Sequence, residues 1–225
     1  MTISEILAQL ASGAGYTVLV TVACCATALV VGLFSAGMRR VFPFPAVTRI
    51  LDLFAFVFRS IPVLVLLFLV YFGLPGAGIR VSPLAAMMLS LGVIAGAYLA
   101  EVFRGALDAV DASEIMAAQS MGMSRWQVFR HIELPQMMRF SVPGMVNEFT
   151  NVLKYSPFGY TVGIPEMTKQ ALALSASTLR GVEVYLAAGI LYFLVYRILL
   201  VGVRVLEKRT RVPGMGPAHL QGQPV

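Results

Sequence analysis

The sequence predicts an all-α integral membrane protein, with five transmembrane helices and one polar helical loop between the third and fourth. Three observations point there. Of 225 residues, 58% are hydrophobic and only 12% charged, against about 25% charged in a typical soluble domain. The apolar residues gather into segments long enough to cross a bilayer, a length of about 20 helical residues. The longest charged stretch, 108–135, is punctuated by helix caps and a glycine. The expected spans are 15–37, 54–74, 83–103, 137–156 and 182–205, within a membrane unit 1–212, followed by a disordered tail 213–225 rich in Pro, Gly and Gln. The net charge of +6 sits beside the ends of apolar segments and builds no single basic face. It therefore reads as a topology signal, with no nucleic acid implied.

Residues 2–10 form a short amphipathic stretch, either lying along the membrane surface or simply extending the first helix. Only Glu5 is charged before Gly15, so the basic region of a secretory signal is missing and the first span is expected to stay. Cys24 and Cys25 are adjacent in that span, a spacing that suits neither a disulfide nor a metal. Arg39 and Arg40 follow it, which places this end in the cytoplasm and the N-terminus outside. Arg49 and Arg59 keep the next segment cytoplasmic, and 61–74 is a short apolar core. A helix beginning near Ala46 and bent at Pro62 would reach across, with Arg59 near the inner headgroups. Pro75 and Gly76 close it. In the third span Glu101 and Arg104 stand three apart, on one helix face, either as an ion pair or as part of a gate.

The loop 108–135 contains two capping-box patterns, Asp111 with Glu114 and Ser124 with Gln127. Gly122 between them suits the left-handed turn that ends a helix, and Pro135 is expected to stop the second one. The fourth span is the most polar. Asn147, Thr150, Asn151 and Lys154 recur at i, i+3, i+4 and i+7 beside Glu148, a stripe that fits a solvated path or a helix contact made by hydrogen bonds. Pro157, Gly159, Gly163 and Pro165 then predict a broken helix near the outer half. Span 182–205 ends in Arg204, Glu207, Lys208, Arg209 and Arg211, which anchor the C-terminus inside. No internal repeat is visible, and five spans do not divide into equal halves, so a transporter built from this chain would pair with a second copy or a relative.

Several stretches resemble one family, in order along the chain. Ala117, Ala118, Gly122, Ile132 and Leu134-Pro135 are spaced as in the EAA loop of the membrane subunits of bacterial ABC importers, with Met116 where that motif usually has a glutamate. Phe58-Arg59-Ser60-Ile61-Pro62-Val63-Leu64-Val65 is similar to the Phe-Arg-Gly-Thr-Pro-Leu-Leu-Val signature of the polar amino acid branch, and 97–107 and 147–171 resemble that branch too. Lys154-Tyr155-Ser156-Pro157-Phe158 departs from its usual Lys-Asp-Thr-Ser-Leu. The resemblance implies the ABC importer permease type: a bacterial inner-membrane subunit that forms the translocation path for a polar amino acid or similar small zwitterion. It implies a coupling loop carried by Glu114, Ala117, Ala118, Gly122, Met123, Ser124, Trp126, Gln127 and Arg130. It implies a path along Asn147, Glu148, Thr150, Asn151 and Lys154, with Arg59, Pro62, Glu101 and Arg104 in gating or structural roles.

The implied partners are cytoplasmic ABC ATPase subunits, an extracytoplasmic substrate-binding protein, a second permease (identical or a paralogue) and the lipid membrane. The chain has no GxxxxGK[ST] phosphate loop, so ATP and Mg belong to the partner ATPase and no cofactor to this chain. A self-contained channel or secondary carrier would also explain the polar stripe, but not the capped helical loop. An intramembrane enzyme lacks support: His131 and His219 lie outside the spans, and no Ser/His or metal-ligand pair recurs within them.

Overall fold

The computed structural model describes the backbone of residues 3–210 and the side chains of 4–202. The tail 213–225 and the basic side chains from Arg204 to Arg211 lie outside the described residues. Nearly all of the described backbone is helical, and no strand occurs in it.

The first helix, α1 (Ile3–Val41), is one unbroken run of 39 residues, about 58 Å long at 1.5 Å per residue. Glu5 in its first turn and Arg39 and Arg40 in its last complement the helix dipole. Over residues 3–10 the helical extension of the first span is the arrangement observed. Ile6 and Leu10 are buried against Ala171, Leu174, Val184 and Ala188, so the extension docks on protein. After it, α2 (Pro45–Ser60) starts with its proline in the first turn, where the missing N–H costs nothing. Ile61 precedes Pro62 and is extended, as the proline ring requires. The chain then turns by 99° into α3 (Val63–Phe68), which continues through a π turn and a 3-10 turn to Ala77. The expected bend at Pro62 is thus close to a right angle.

The third long helix runs Pro83–Asp108 as α4 (Pro83–Met87), a π turn (Met88–Gly92) and α5 (Val93–Asp108). It forms the core with α1. Small residues let the two backbones approach, the main source of helix association where lipid removes the hydrophobic drive. A Cβ on Gly92 would stand 2.8 Å from Thr27 Cβ, one on Gly96 2.6 Å from Val31 Cβ, and one on Gly32 2.9 Å from Leu99 Cβ. Cys24 and Ala28 are fully buried beside the same seam.

Beyond the loop, α8 (Leu134–Phe140) and α9 (Val142–Tyr155) meet at Ser141. A 3-10 stretch (Ser156–Val162) ends at Gly163 with φ of 98°, followed by α10 (Met167–Thr178) and α11 (Gly181–Thr210). Among the described residues three helices are long and apolar enough to cross a membrane, and the bent pair 45–77 would make a fourth. The region 137–156 is not among them: Ser141 interrupts it, and Arg139, Asn147, Glu148 and Asn151 lower its hydropathy. Outward, α11 leaves Leu186, Ile190, Phe193, Leu194 and Ile198 exposed, the kind of apolar belt that needs lipid or another helix.

Candidate functional site

Two regions gather the residues that the sequence singles out, an elbow between α5 and α8 and a cavity beside α9. In the elbow, α6 (Ala112–Ser120) is capped by Asp111, whose carboxylate accepts the Ser113 N–H at 2.8 Å. That backbone hydrogen bond holds the Asp111 carboxyl below its ordinary titration. The reciprocal half of the expected capping box is not made. Glu114 instead accepts from Gln136 Nε2 at 2.5 Å, because the chain folds back and sets the first turn of α8 beside α6. Gly122 takes φ of 83°, and the Gly122 and Met123 amides close back on Gln119 and Ala118 at 2.9 and 3.2 Å, the Schellman ending that favours glycine.

The second elbow helix, α7 (Arg125–Val128), has its full capping box: the Gln127 N–H donates to Ser124 Oγ at 3.3 Å and the Ser124 N–H to Gln127 Oε1 at 2.7 Å. Contrary to expectation, Pro135 does not end the helix. A π turn (Phe129–Glu133) comes first, with the Leu134 N–H bonded back to Phe129 O. This wide turn takes up the place where a regular helix would have driven the proline ring against a carbonyl and left that carbonyl without a donor. Glu114, Ala117, Gly122, Ser124, Trp126, Gln127 and Arg130 are exposed, Met123 half-buried and Ala118 buried. Met116, Met121 and Trp126 are exposed apolar side chains of the elbow.

The cavity, about 400 Å³, is lined by Arg59, Pro62, Tyr98, Glu148, Asn151 and Tyr155 among others. The Arg59 guanidinium stands 5.0 Å over the Tyr98 ring, and Tyr98 OH donates to Arg59 O at 3.5 Å. Glu148 is buried and accepts from Asn151 Nδ2 at 3.5 Å. A second cavity of about 450 Å³ shares Arg59, Ser60 and Tyr98 and adds Asp52 and Glu101. Glu101 pairs with Arg104 at 3.0 Å, and Arg104 with Asp108 at 3.1 Å.

The structure thus brings together Arg59, Pro62, Glu148 and Asn151. It leaves three stripe residues elsewhere: Asn147 is exposed, Thr150 lines an apolar groove with Thr21 and Leu153, and Lys154 lines another with Tyr192. The face of α9 that meets the cavity is Glu148, Asn151, Val152 and Tyr155, one residue out of phase with the stripe counted from polar residues alone. Tyr98 is the residue that sequence reasoning missed here; its spacing three before Glu101 on one helix was the available signal. A second polar cluster was also missed. Fully buried Glu166 caps α10 by accepting the Thr168 and Lys169 N–H groups at 2.8 Å each, and accepts Tyr192 OH at 2.6 Å.

Comparison with known proteins adds the following. Residues 28–212 match the family described as binding-protein-dependent transport system inner membrane component. The chain is 30% identical over 197 residues to the probable amino-acid ABC transporter permease protein YckA of Bacillus subtilis (strain 168), covering 88% of this chain and 87% of that protein. It is 34% identical over 189 residues to the probable amino-acid permease protein YxeN of the same organism (81% and 84%). It is 30% identical over 205 residues to the glutamine transport system permease protein GlnP of Escherichia coli (strain K12) (90% and 93%). Among solved structures, an amino acid ABC transporter crystallised with histidines superposes with a TM-score of 0.80 at 27% identity, covering 93% of this chain and all of that one.

Proposed function

The chain belongs to the binding-protein-dependent transport system inner membrane components, and on that premise we propose that it forms the translocation path of an ATP-driven importer for a polar amino acid or similar small zwitterion. It is a permease subunit and not an enzyme; ATP is hydrolysed by a separate subunit. The observation that carries the substrate class is that a cation and an anion, Arg59 and Glu148, line one cavity. A zwitterion that has shed its water needs a partner for each of its charges, and intramembrane ionisable groups normally face such a path. The naming of similar proteins as amino-acid and glutamine permeases supports the same class.

In this reading the segment 137–156 is a further crossing, giving five spans with the N-terminus outside and the C-terminus inside. Two permease subunits, identical or paralogous, enclose the path. An extracytoplasmic binding protein delivers substrate, and ATPase subunits receive the exposed elbow face of Trp126, Gln127 and Arg130. Closure of the ATPases moves the elbows, and the cavity opens alternately to the two sides. The test is reconstitution with the co-purifying subunits in proteoliposomes, supplied with tritiated amino acids. Uptake that requires ATP supports the proposal. Passage through the isolated chain without ATP would overturn it in favour of a channel.

A further inference from the structure

Arg39 and Arg40 read from the sequence as topology signals, yet Arg40 also binds the elbow. Its Nε lies 3.2 Å from Glu133, a carboxylate only 5% exposed in the π turn. Its guanidinium also donates to Leu107 O at 3.0 Å and stands 3.5 Å from Asp108, so it holds the last turn of α5 at the same time. One turn earlier in α1, Gly37 faces the Phe129 ring, which would lie 3.5 Å from a Cβ there. Phe129 is itself buried and leans on exposed Trp126, with ring centroids 5.9 Å apart. The elbow therefore grips the end of α1 by one ion pair and one aromatic contact.

The opposite end of α1 is gripped as well. A Cβ on Gly13 would stand 2.7 Å from Met167 N, so the two backbones touch. Thr17 Oγ1 accepts the Met167 N–H at 3.3 Å, next to the Glu166 cap, and Ile6 and Leu10 pack on α10 and α11. Between the grips lies a single helix with no proline in it. Sharp kinks in helices come from proline, Gly/Ser pairs, π bulges or inserted groups; the Ser12-Gly13 pair of α1 lies at the grip itself, and beyond it the helix runs without a proline or a π turn. We propose that α1 is a strut, clamped at one end to the elbow by Arg40 and Phe129 and at the other to the start of α10, which carries the displacement of the elbow to the Glu166–Met167 segment. This path is separate from the covalent continuation of the elbow into α8, and Arg40 acts in it as a positioning residue. It rests on the reading of the elbow as the part the ATPase moves.

The test uses the complete complex in proteoliposomes, in a Cys24→Ala, Cys25→Ala background with a spin label at Ala176→Cys on α10. In the parent complex ATP changes the label's spectrum. With Arg40→Gln the ATPase activity persists, while the ATP-dependent change and the uptake of tritiated amino acids per ATP fall about tenfold, within the span of ordinary coupling energies. Arg40→Lys, which keeps a cation beside Glu133 and Asp108, retains most of both. Glu133→Gln, which leaves no unpaired buried charge, gives the same loss should Arg40→Gln fail to assemble. An unchanged spectrum response and unchanged uptake per ATP in these single variants would overturn the strut. So would a parent complex that takes up amino acids with ATP but shows no change at Ala176. A parent complex that takes up nothing with ATP would instead sink the importer reading on which the strut rests.

Discussion

At the scale of single residues, the elbow is held by backbone demands that the sequence displays openly. Gly122 was legible because a φ of 83° is a conformation that costs an ordinary residue roughly 1–2 kcal/mol. Gly122→Val is expected to loosen the turn, seen as faster hydrogen exchange at the Met123 amide, and to lower uptake per ATP while membrane insertion continues. Asp111 gives a pH dependence. Its carboxyl is held low by the Ser113 N–H, so the stabilisation is complete above the ordinary carboxylate titration and is lost as pH falls through the lowered value. Protection of the Ser113 amide, its exchange relative to the intrinsic rate at each pH, should fall in that acid window, and Asp111→Asn should remove the dependence. Glu133 behaves oppositely: burial outweighs Arg40 and raises its titration, so its contribution weakens as pH rises from the ordinary carboxylate range to the raised value. The partner of Glu114 was not legible, because Gln136 reaches it only after the chain has turned back.

At the scale of elements, the sequence showed where helices start, bend and break more readily than how they pack. Pro62 marked the break between α2 and α3, but the 99° turn depends on what α3 lies against. Gly92 and Gly96, four apart, carried a packing signal that composition alone hides. Gly96→Leu should force Val31 and α1 aside, costing about 1–3 kcal/mol and lowering the thermal midpoint in detergent. On α9 the polar stripe and the residues that line the cavity lie one position apart, since Glu148, Asn151, Val152 and Tyr155 line it. Tyr98→Leu removes the ring under Arg59, an interaction of about 0.5–2 kcal/mol. It should weaken the apparent affinity for amino acid in uptake assays, with Tyr98→Phe retaining most of it.

At the scale of the whole molecule, α1 and α5 form the centre, and the Glu166 cluster fastens α1, α10 and α11 at one end. That cluster needed long-range pairing between positions 17, 166 and 192, which no local pattern announces. Glu166→Leu strips the cap from α10 and removes one of the two partners of the half-buried Tyr192 OH, which keeps Thr168 Oγ1 at 3.0 Å. A lost cap alone costs about 1 kcal/mol, and the lost Tyr192 hydrogen bond adds to it, so the thermal midpoint should fall further than for Ser124→Ala on the elbow. The π turn (Phe129–Glu133) that lets the chain run through Pro135 works like a spacer in a gear train, setting the angular index of everything after it. Deleting one residue there would rotate α8 and α9 by about 100°, swinging Glu148 and Asn151 out of the cavity while α6 and α7 stayed as they are. The aim of the carboxylate is thus dialled in at the elbow, well before the chain reaches it.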